Sequence, residues 1–303
     1  MLDLGIVIVN WNTKELLRRC LQTVLASTGN FTFKVVLVDN ASTDGSADMV
    51  RSEFPSVEVI ASPTNGGFSY GNNLGLKALG YNGKGDIDPD APRYALLLNP
   101  DTEVPPTSLF DMVQFMDSRP DVGVAGPKLV LEDGSLDVAC RRSFPTPMVS
   151  FYRFSGLSKL FPHNPQFGRY NMTFVDADVE LEVDSVVGAY MQVRREAIRD
   201  AGLLDEAFFM YGEDLDWAFR IKEAGWKVFY HPKVMVKHIK RASSRRSKKA
   251  QFEFQRAMLI FYRKHYRRTT PLWLHLMVIV GLMLKGGPEL LPELRQTAQQ
   301  TVT

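Results

Sequence analysis

Apolar and polar positions alternate in blocks along about the first 130 residues, and the blocks predict strands and helices in turn. Leu4–Asn10 and Tyr94–Leu98 are nearly continuous apolar runs, which are typical of strands covered on both faces. Between them apolar residues recur at helical spacing, as Leu17, Leu21 and Val24 do. Repeated strand–helix units of this length favour a parallel sheet with right-handed crossovers, so the expected fold class is α/β.

The same reading extends along the chain. Further strands are predicted at Lys34–Asp39, Val57–Ala61, Val122–Ala125, Tyr190–Arg194, Lys227–Tyr230 and Val234–Lys237. Helices are predicted to begin near Thr13, Asp44, Asn73 and Thr107, and a further one spans Glu213–Ala224 before Gly225. The segment from about 128 to 184 is irregular and rich in Pro, Phe and Tyr, and such segments often shape one wall of a site.

Composition narrows the class of protein. The 303 residues are 45% hydrophobic, which is enough for a sizeable core, and the net charge of +2 indicates no polyanionic partner such as nucleic acid. Cys20 and Cys140 lie in no metal-ligand spacing and fit a reducing compartment. The N-terminus lacks a positive leader and a cleavage site, so it is interpreted as a first strand of a cytoplasmic protein.

The C-terminal part has a more uneven charge. From Lys237 to Arg268 there are twelve Lys and Arg residues against one acid, Glu253. The apolar run Leu272–Leu284 follows and is shorter than the roughly 20 residues that span a bilayer. Two interpretations stay open: a helix buried in the core, and a helix lying in the interface of an anionic membrane on its inner face.

Polar residues at the ends of predicted strands are the first candidates for chemistry. The strand Tyr94–Leu98 ends in Asn99-Pro100-Asp101, and in open α/β sheets ligands collect outside the carboxyl ends of strands. The Asp101 carboxylate is a hard oxygen ligand suited to Mg²⁺ or Mn²⁺. An ordinary turn is the alternative explanation of this tripeptide.

Two other strand ends carry candidate residues for binding a nucleotide. Val9-Asn-Trp11-Asn could stack a base, and Asp39 could accept hydrogen bonds from a base or a ribose. The turn Asn65–Asn73 is rich in Gly and Asn, which lets the backbone approach a ligand closely. It lacks the Gly-x-Gly-x-x-Gly spacing, and this counts against a dinucleotide oxidoreductase.

Three acids begin the helix predicted at residue 213: Glu213, Asp214 and Asp216. Acids in a first turn complement the helix dipole, which is a sufficient structural explanation, but the dipole also favours an ionised carboxylate that could act as a base. Glu213 and Asp216 share one face, whereas Asp214 points elsewhere. His238 ends an apolar stretch, and a single histidine there indicates a structural residue more often than a metal ligand.

Taken together and in order, these motifs resemble family 2 glycosyltransferases, and most closely their rhamnosyltransferase-like branch. The resemblance rests on Val-Asn-Trp-Asn, Val-Asp-Asn-Ala-Ser-Thr-Asp, Asn-x-Gly-Phe with Asn-Asn-x-Gly, Leu-Asn-Pro-Asp-Thr, Val-Gly-Ala, Phe-Met-Tyr-Gly-Glu-Asp-x-Asp and Val-x-His, between about Leu4 and Ile239. It implies a GT-A fold with a mostly parallel central sheet, a nucleoside-diphosphate sugar donor, a divalent metal ion and inversion at the anomeric carbon.

The resemblance also implies roles for individual residues. Asp214 would be the base, beside Glu213, and His238, 24 residues further on, would bind the metal ion with Asp101. Asn99 stands where many relatives have the first acid of an Asp-x-Asp pair, so metal affinity is expected to be modest. Residues implied to bind the donor are Val9, Trp11, Asp39, Gly67, Asn72, Asn99 and Asp101, and those implied on the acceptor side are Gly188, Ala189 and Trp217.

The expected protein is therefore an inverting, metal-dependent glycosyltransferase. It would move a sugar, with rhamnose the first expectation, to a hydroxyl of a glycan or lipid-linked acceptor in cell-envelope polysaccharide synthesis. Residues 1–127 would bind the nucleotide sugar, 128–240 would carry the acceptor and catalytic half, and 241–303 would be a helical extension. The loop Gly80–Arg93 is longer than expected and has no assigned role.

Two other functions remain possible on the sequence. A nucleotidyltransferase would also use an α/β sheet and a metal-binding acid, but the loop after the first strand, Asn10–Thr13, is not glycine-rich and basic. A non-catalytic glycan-binding or scaffold protein would not need Asp101, Asp214 and His238, which are all present.

Overall fold

The computed structural model describes residues 1–239 and 248–296. In the described part of the chain the strands are β1 (Leu4–Asn10), β2 (Phe33–Asp39), β3 (Glu58–Ala61), β4 (Tyr81–Gly83), β5 (Asp86–Ile87), β6 (Tyr94–Leu98), β7 (Thr102–Glu103), β8 (Val122–Val130), β9 (Leu181–Glu182), β10 (Tyr190–Arg194) and β11 (Lys227–His238). The helices are α1 (Lys14–Leu25), α2 (Ser46–Glu53), α3 (Phe68–Ala78), α4 (Ser108–Ser118), α5 (Pro147–Phe154), α6 (Leu157–Leu160), α7 (Arg195–Ala201), α8 (Glu213–Glu223), α9 (Lys248–His265), α10 (Leu272–Gly286) and α11 (Leu291–Gln296).

A nine-stranded sheet forms the centre of the protein, in the order β3-β2-β1-β6-β10-β8-β11-β7, with β9 paired to β11. The pairs β2–β3, β1–β2, β1–β6 and β8–β11 are parallel, whereas β10, β7 and β9 run antiparallel to their neighbours. Every residue of β1 and of β6 is buried, as expected for strands whose two faces are both covered. The α/β class with a mostly parallel sheet is therefore confirmed.

Several predicted boundaries are wrong. Helix α3 begins at Phe68, five residues before the predicted start near Asn73. Strand β8 continues to Val130, five residues past the predicted end, because β11 pairs with it along this length. The two short strands predicted between residues 227 and 237 are one strand, β11, in which an irregularity between His231 and Met235 takes up Pro232. The loop Gly80–Arg93 contains the hairpin β4–β5, and the Tyr81 hydroxyl ties it to the Pro92 carbonyl oxygen at 2.7 Å.

The C-terminal helices pack on the sheet domain. Helix α9 contributes Ala257 and Phe261 to an apolar cluster with Phe208 and Leu215, and α10 packs on α9. The predicted domain boundary at 240 and part of the basic segment fall within 240–247, outside the described residues. Of the helices that the structure describes, none is long and apolar enough to cross a bilayer.

Candidate active site

The candidate residues gather along one edge of the sheet. Asn10, Asp39 and Asn99 lie at or just past the carboxyl ends of β1, β2 and β6, which are parallel. Because β10 is antiparallel to β6, the residues that precede it lie at the same edge, and the Asn99 N–H donates to the Ala189 carbonyl oxygen at 3.0 Å. His238 is the last residue of β11, which runs in the direction of β8. Sheet topology thus brings segments from both halves of the chain to one place.

Asp39 is the buried centre of a polar network at the end of β2. Its carboxylate accepts a hydrogen bond from the Asn10 side-chain amide at 3.0 Å and another from the Ser42 backbone N–H at 3.0 Å. The residue is 3% exposed. Two of its oxygen lone-pair sites remain for a ligand, because a carboxylate offers about four. Asp39 is held rigidly enough to recognise hydrogen-bond donors.

The loop beside Asp39 has an unusual backbone. Asn12 and Ala41 have φ values of +54° and +61°, and alanine rarely adopts this left-handed region. The Asn12 side chain accepts a hydrogen bond from the Thr43 N–H at 2.8 Å, which ties the two loops together. Trp11 precedes Asn12 in the first of these loops and has 55% of its surface exposed. An exposed indole on a fixed loop is suited to stacking on a base.

The glycine-rich turn before α3 approaches two other segments closely. Gly67 has φ +93°, and a Cβ atom there would lie 2.4 Å from the Phe209 carbonyl oxygen. The Asn40 side-chain amide donates to the Gly67 carbonyl oxygen at 2.9 Å, so the turn is joined to the end of β2. Among the described residues the other amide atom, the Asn40 Oδ1, is buried without a partner.

Two residues that were expected to bind the donor act here through packing. Val9 is 9% exposed, and its methyl groups would meet a Cβ added at Gly71 at 2.7 Å. Asn72 is 1% exposed, and its side-chain amide donates to the Phe68 carbonyl oxygen at 2.9 Å within α3. Neither side chain is open to a ligand, so any contribution to donor binding comes through the backbone or through positioning.

Asp101 and His238 face each other at the carboxyl edge. The His238 Nε2 lies 3.3 Å from an Asp101 carboxylate oxygen, and the His238 Nδ1 lies 2.9 Å from an Asp137 carboxylate oxygen. Burial alone would lower the pKa of His238, but the hydrogen bonds and charges of Asp101 and Asp137 raise it to about 9. The histidine is thus oriented by a carboxylate on each ring nitrogen.

The chemistry of these donors fits a divalent cation. A cation bound here would displace the proton from Nε2; with Asp137 still accepting the Nδ1–H, the ring would then present the Nε2 lone pair toward Asp101, an arrangement typical of carboxylate–histidine–metal sites. An ion between the two side chains would gain one nitrogen and one carboxylate oxygen ligand. No cluster of three or more His, Cys, Asp or Glu side chains with metal-site geometry occurs among the described residues. The remaining ligands would have to come from substrate oxygens or water, which is common for Mg²⁺.

Asp214 is held by three N–H groups. Its Oδ2 accepts from the Gly188 N–H at 2.9 Å and from the Arg142 guanidinium at 2.7 Å, and its Oδ1 accepts from the Leu215 N–H at 2.8 Å. Burial alone would lower the pKa of the Arg142 guanidinium, but the neighbouring Asp214 and Tyr170 raise it above its ordinary value. The Asp214 carboxylate is therefore fixed in orientation against the segment that precedes β10.

The two acids beside Asp214 have different surroundings. Burial raises the pKa of Glu213 above its ordinary value, the charge of Asp214 adds to this, and Oε2 of Glu213 has no hydrogen-bond partner in the described structure. Asp216 binds Arg220, Lys264 and His265. Burial alone would raise the pKa of Asp216, but these partners lower it to about 2. Asp216 connects α8 to α9 and is occupied by that structural role.

One sequence-based assignment is not supported. Trp217 was expected on the acceptor side, but it is completely buried in the main core, and its indole N–H donates to the Gly202 carbonyl oxygen at 2.8 Å. It cannot face a substrate. Gly188 and Ala189 do lie beside Asp214 and Asn99, and a Cβ added at Gly188 would lie 3.3 Å from the Phe68 ring.

Asp137 and Arg142 belong to the site, although neither was a sequence-based candidate. Both lie in the irregular middle segment, where no periodicity predicts the direction of a side chain. Their partners His238 and Asp214 are 101 and 72 residues away. The available signal was the pair of arginines, Arg141 and Arg142, in a segment otherwise rich in aromatic residues, because a buried guanidinium needs an anionic partner.

Direct contacts join the gathered residues into a continuous edge. From Asp39 the path runs through Asn40 and Gly67 to Phe68, which lies against Gly188, the partner of Asp214. The neighbour of Gly188, Ala189, binds the Asn99 backbone, two residues before Asp101. These contacts connect residues suited to a base, a carboxylate and a pair of residues suited to a cation.

This chain is similar in sequence to one family of known proteins. A profile of the family described as "Glycosyltransferase like family 2" matches residues 3–256. The N-acetylglucosaminyl-diphospho-decaprenol L-rhamnosyltransferase of Mycobacterium tuberculosis is 29% identical over 246 residues, which cover 80% of this chain and 78% of the relative. The low-salt glycan biosynthesis hexosyltransferase Agl10 of Haloferax volcanii is 25% identical over 220 residues, covering 73% of this chain and 62% of the relative.

A solved structure shares the fold. The crystal structure of GalNAc-T7 with UDP, GalNAc and Mn²⁺ superimposes with a TM-score of 0.60 at 16% identity. The matched region covers 89% of this chain and 52% of the other, so this chain spans about half the length of that protein.

Proposed function

The chain belongs to glycosyltransferase family 2, and from this premise we propose that it is a metal-dependent enzyme that transfers a sugar from a nucleoside diphosphate to an acceptor hydroxyl with inversion. The observation that carries the proposal is the placement of Asp39, Asp214, Asp101 and His238 along one sheet edge, joined by direct contacts. A base-binding end, a cation-binding pair and a proton acceptor correspond to the base, the diphosphate and the attacking hydroxyl of a nucleotide sugar and its acceptor.

The proposed reaction is a single displacement. The acceptor oxygen forms a bond to the anomeric carbon while the bond from that carbon to the diphosphate oxygen breaks on the opposite face. Asp214 takes the hydroxyl proton, and Arg142 and the Gly188 N–H fix the direction of its carboxylate. Asp101 and His238 would hold a divalent cation, which when bound offsets negative charge on the leaving diphosphate.

The donor end is assigned by shape and polarity. Asp39 would accept hydrogen bonds from the base or the ribose, and the exposed Trp11 would cover the base. The Asn40 Oδ1 atom, buried and without a partner in the described structure, offers one further acceptor beside the glycine-rich turn. The name of the mycobacterial relative specifies rhamnose, so a rhamnose donor is the first to be tried here.

The acceptor is proposed to be a glycan or a lipid-linked sugar. The name of the mycobacterial relative gives a diphospho-decaprenol acceptor. In this chain the outer face of α10 exposes Trp273, Leu276, Val280 and Leu284, which are between 55% and 82% accessible. The exposed residues Arg267 and Arg268 precede the helix, so we propose peripheral contact with an anionic membrane surface.

Replacing the proposed base tests the function. Asp214→Asn keeps the size of the side chain but removes the proton acceptor, so release of nucleoside diphosphate in the presence of Mn²⁺, donor and acceptor should fall about 100-fold or more, with donor binding retained. Asp48→Asn, on the exposed outer face of α2, is the matched control and should leave turnover unchanged. Normal turnover in Asp214→Asn would refute Asp214 as the base.

A further inference from the structure

A cavity of about 540 Å³ is lined by none of the residues of the candidate active site and has no role in the reaction just described. Its walls come from α5, α6, the segment 167–173, α9 and α10. We refer to it as the α5–α10 cavity. It is large enough for part of a substrate, and it lies between the irregular middle segment and the C-terminal helices.

The α5–α10 cavity is basic. Arg153, Lys159 and Lys285 line it, and no Asp or Glu does. Within the described part of the chain none of the three forms an ion pair; instead the Arg153 guanidinium lies over the Tyr170 ring at 4.1 Å and the Lys285 ammonium over the Phe154 ring at 4.8 Å. Cations without a counterion in a concave site attract an anion.

The opposite wall of the cavity is apolar. Met258 and Tyr262 from α9 face Val278 and Leu282 from α10, and these residues belong to one hydrophobic cluster. Gln255 interrupts this wall: it is 8% exposed, and its Oε1 has no partner in the described structure. A buried amide oxygen of this kind calls for a donor such as a hydroxyl or an amide N–H. The cavity therefore combines charge, apolar surface and one hydrogen-bond acceptor.

The cavity is connected to the candidate base through intervening residues, and α10 forms part of its wall. Tyr170 in its wall accepts a hydrogen bond from the Ser143 N–H at 2.9 Å, and the preceding residue, Arg142, binds Asp214 at 2.7 Å. Helix α10 buries Val278 and Leu282 on the cavity side and exposes Leu276 and Val280 on the other. One helix thus separates the cavity from the surface proposed to meet a membrane.

We propose that the α5–α10 cavity binds the phosphate and the first apolar units of an acceptor carried on a membrane lipid. This inference rests on the proposed function and names the acceptor class: a lipid diphosphate whose anionic group lies against Arg153, Lys159 and Lys285 and whose chain follows Met258, Val278 and Leu282 toward the membrane. The sugar on that diphosphate would point toward Arg142 and Asp214.

Binding of farnesyl diphosphate tests this site without any transfer reaction. The titration is done calorimetrically in the presence of a metal chelator, so that a cation at Asp101 and His238 does not recruit the diphosphate. Inorganic diphosphate and farnesol are the comparison ligands. Farnesyl diphosphate should bind at least about tenfold more tightly than either, because only it engages both walls. Equal affinity for inorganic diphosphate would mean a plain anion site and would overturn the proposal.

Charge reversal locates the binding. The double variant Lys159→Glu, Lys285→Glu should bind farnesyl diphosphate at least about tenfold more weakly than wild type, because two attractive contacts become repulsive. Lys233→Glu, at an exposed position of β11, is the control and should change affinity less than about twofold. Unchanged binding in the double variant would overturn the assignment.

A second variant guards against misfolding. Ser150→Phe, on α5, fills the cavity without altering charge and should also weaken the binding of farnesyl diphosphate, while the melting temperature reports whether the chain is folded.

A wild-type protein that binds farnesyl diphosphate but releases no nucleoside diphosphate with any donor would refute the proposed function and leave this cavity supported. A protein that transfers sugar but binds farnesyl diphosphate no better than farnesol would refute the cavity alone.

Discussion

At Asp214, three N–H donors leave little freedom to the carboxylate, and this is what a general base requires. A base must meet the acceptor hydroxyl at hydrogen-bond distance and in one direction. Arg142 supplies both orientation and a counter-charge in a buried place, where an isolated carboxylate would be costly. In the described structure the Oε2 atom of Glu213, the preceding residue, has no hydrogen-bond partner, so the two acids differ in their surroundings.

Glu213 should make the stability of the protein depend on pH. Folding raises the pKa of Glu213. At a pH above the ordinary pKa of a glutamate, the unfolded chain releases a proton that the folded chain keeps. The stability of the fold therefore decreases as the pH rises from the ordinary pKa to the raised pKa. Glu213→Gln removes this loss. The melting temperature of Glu213→Gln minus that of the wild type should therefore be higher at about pH 8 than at about pH 5. A difference that stays constant across this range would contradict the assignment.

Asp137 should control metal affinity without touching the metal ion. It fixes the His238 ring at 2.9 Å, and loss of such an outer carboxylate typically costs about 10–100-fold in affinity. Asp137→Asn should show this loss when Mn²⁺ is titrated calorimetrically with nucleoside diphosphate present. Asp133→Asn, in the exposed turn four residues earlier, is the control. Equal Mn²⁺ affinity in Asp137→Asn and wild type would show that Asp137 does not support a metal site.

At the scale of elements, ion pairs and apolar contacts tie the C-terminal helices to the sheet domain. Asp216 in α8 binds Lys264 and His265 in α9, and α10 then packs on α9 through Tyr262 and Leu282. The interpretation of Leu272–Leu284 as a buried helix holds for one face of α10, because Leu274, Val278 and Leu282 are buried. The outer apolar residues are exposed, and contact of that face with a membrane stays a prediction. Removing the helix would expose the side of α9 that it covers.

Point substitutions on the outer face of α10 therefore test membrane contact more cleanly than a deletion. Leu276→Ser with Val280→Ser removes apolar surface that is about half exposed, at 55% for each residue, so folding should be little affected. Sedimentation with anionic vesicles should fall several-fold, since buried apolar area contributes about 25 cal/mol per Å². Met235→Ser, an exposed apolar position on β11, is the control. Unchanged sedimentation of the double variant would exclude this face as the contact.

At the scale of the whole molecule, the site joins residues that are far apart in sequence through the order of strands. Asn10, Asp39 and Asp101 could be predicted because a long apolar run followed by polar residues marks a strand end, and parallel topology places such ends together. The antiparallel entry of β10 beside β6 could not be predicted from local patterns, yet it is what brings Gly188 and Ala189 to Asp214 and Asn99.

The site residues that the sequence did not predict, or predicted wrongly, have a common physical cause. Asp137 and Arg142 lie in a segment without helical or strand periodicity, so their directions depend on long-range contacts alone. The family resemblance implied Trp217 on the acceptor side, but this large aromatic side chain, three residues along the helix from Asp214, lies in the core instead. Nearness in sequence to a motif does not determine which side of the helix a residue occupies.

The central claim is that Asp39, Asp214, Asp101 and His238 serve one nucleotide sugar in one cleft. A thermal-shift screen of nucleotide sugars with Mn²⁺ would select the donor, because a ligand of the folded state raises the melting temperature. The most direct measurement is then a crystal structure with the corresponding nucleoside diphosphate and Mn²⁺. The account predicts the base or ribose within hydrogen-bond distance of Asp39 and Mn²⁺ bound by Asp101 and the His238 Nε2. A nucleotide bound away from Asp39, or Mn²⁺ held by other residues, would contradict it.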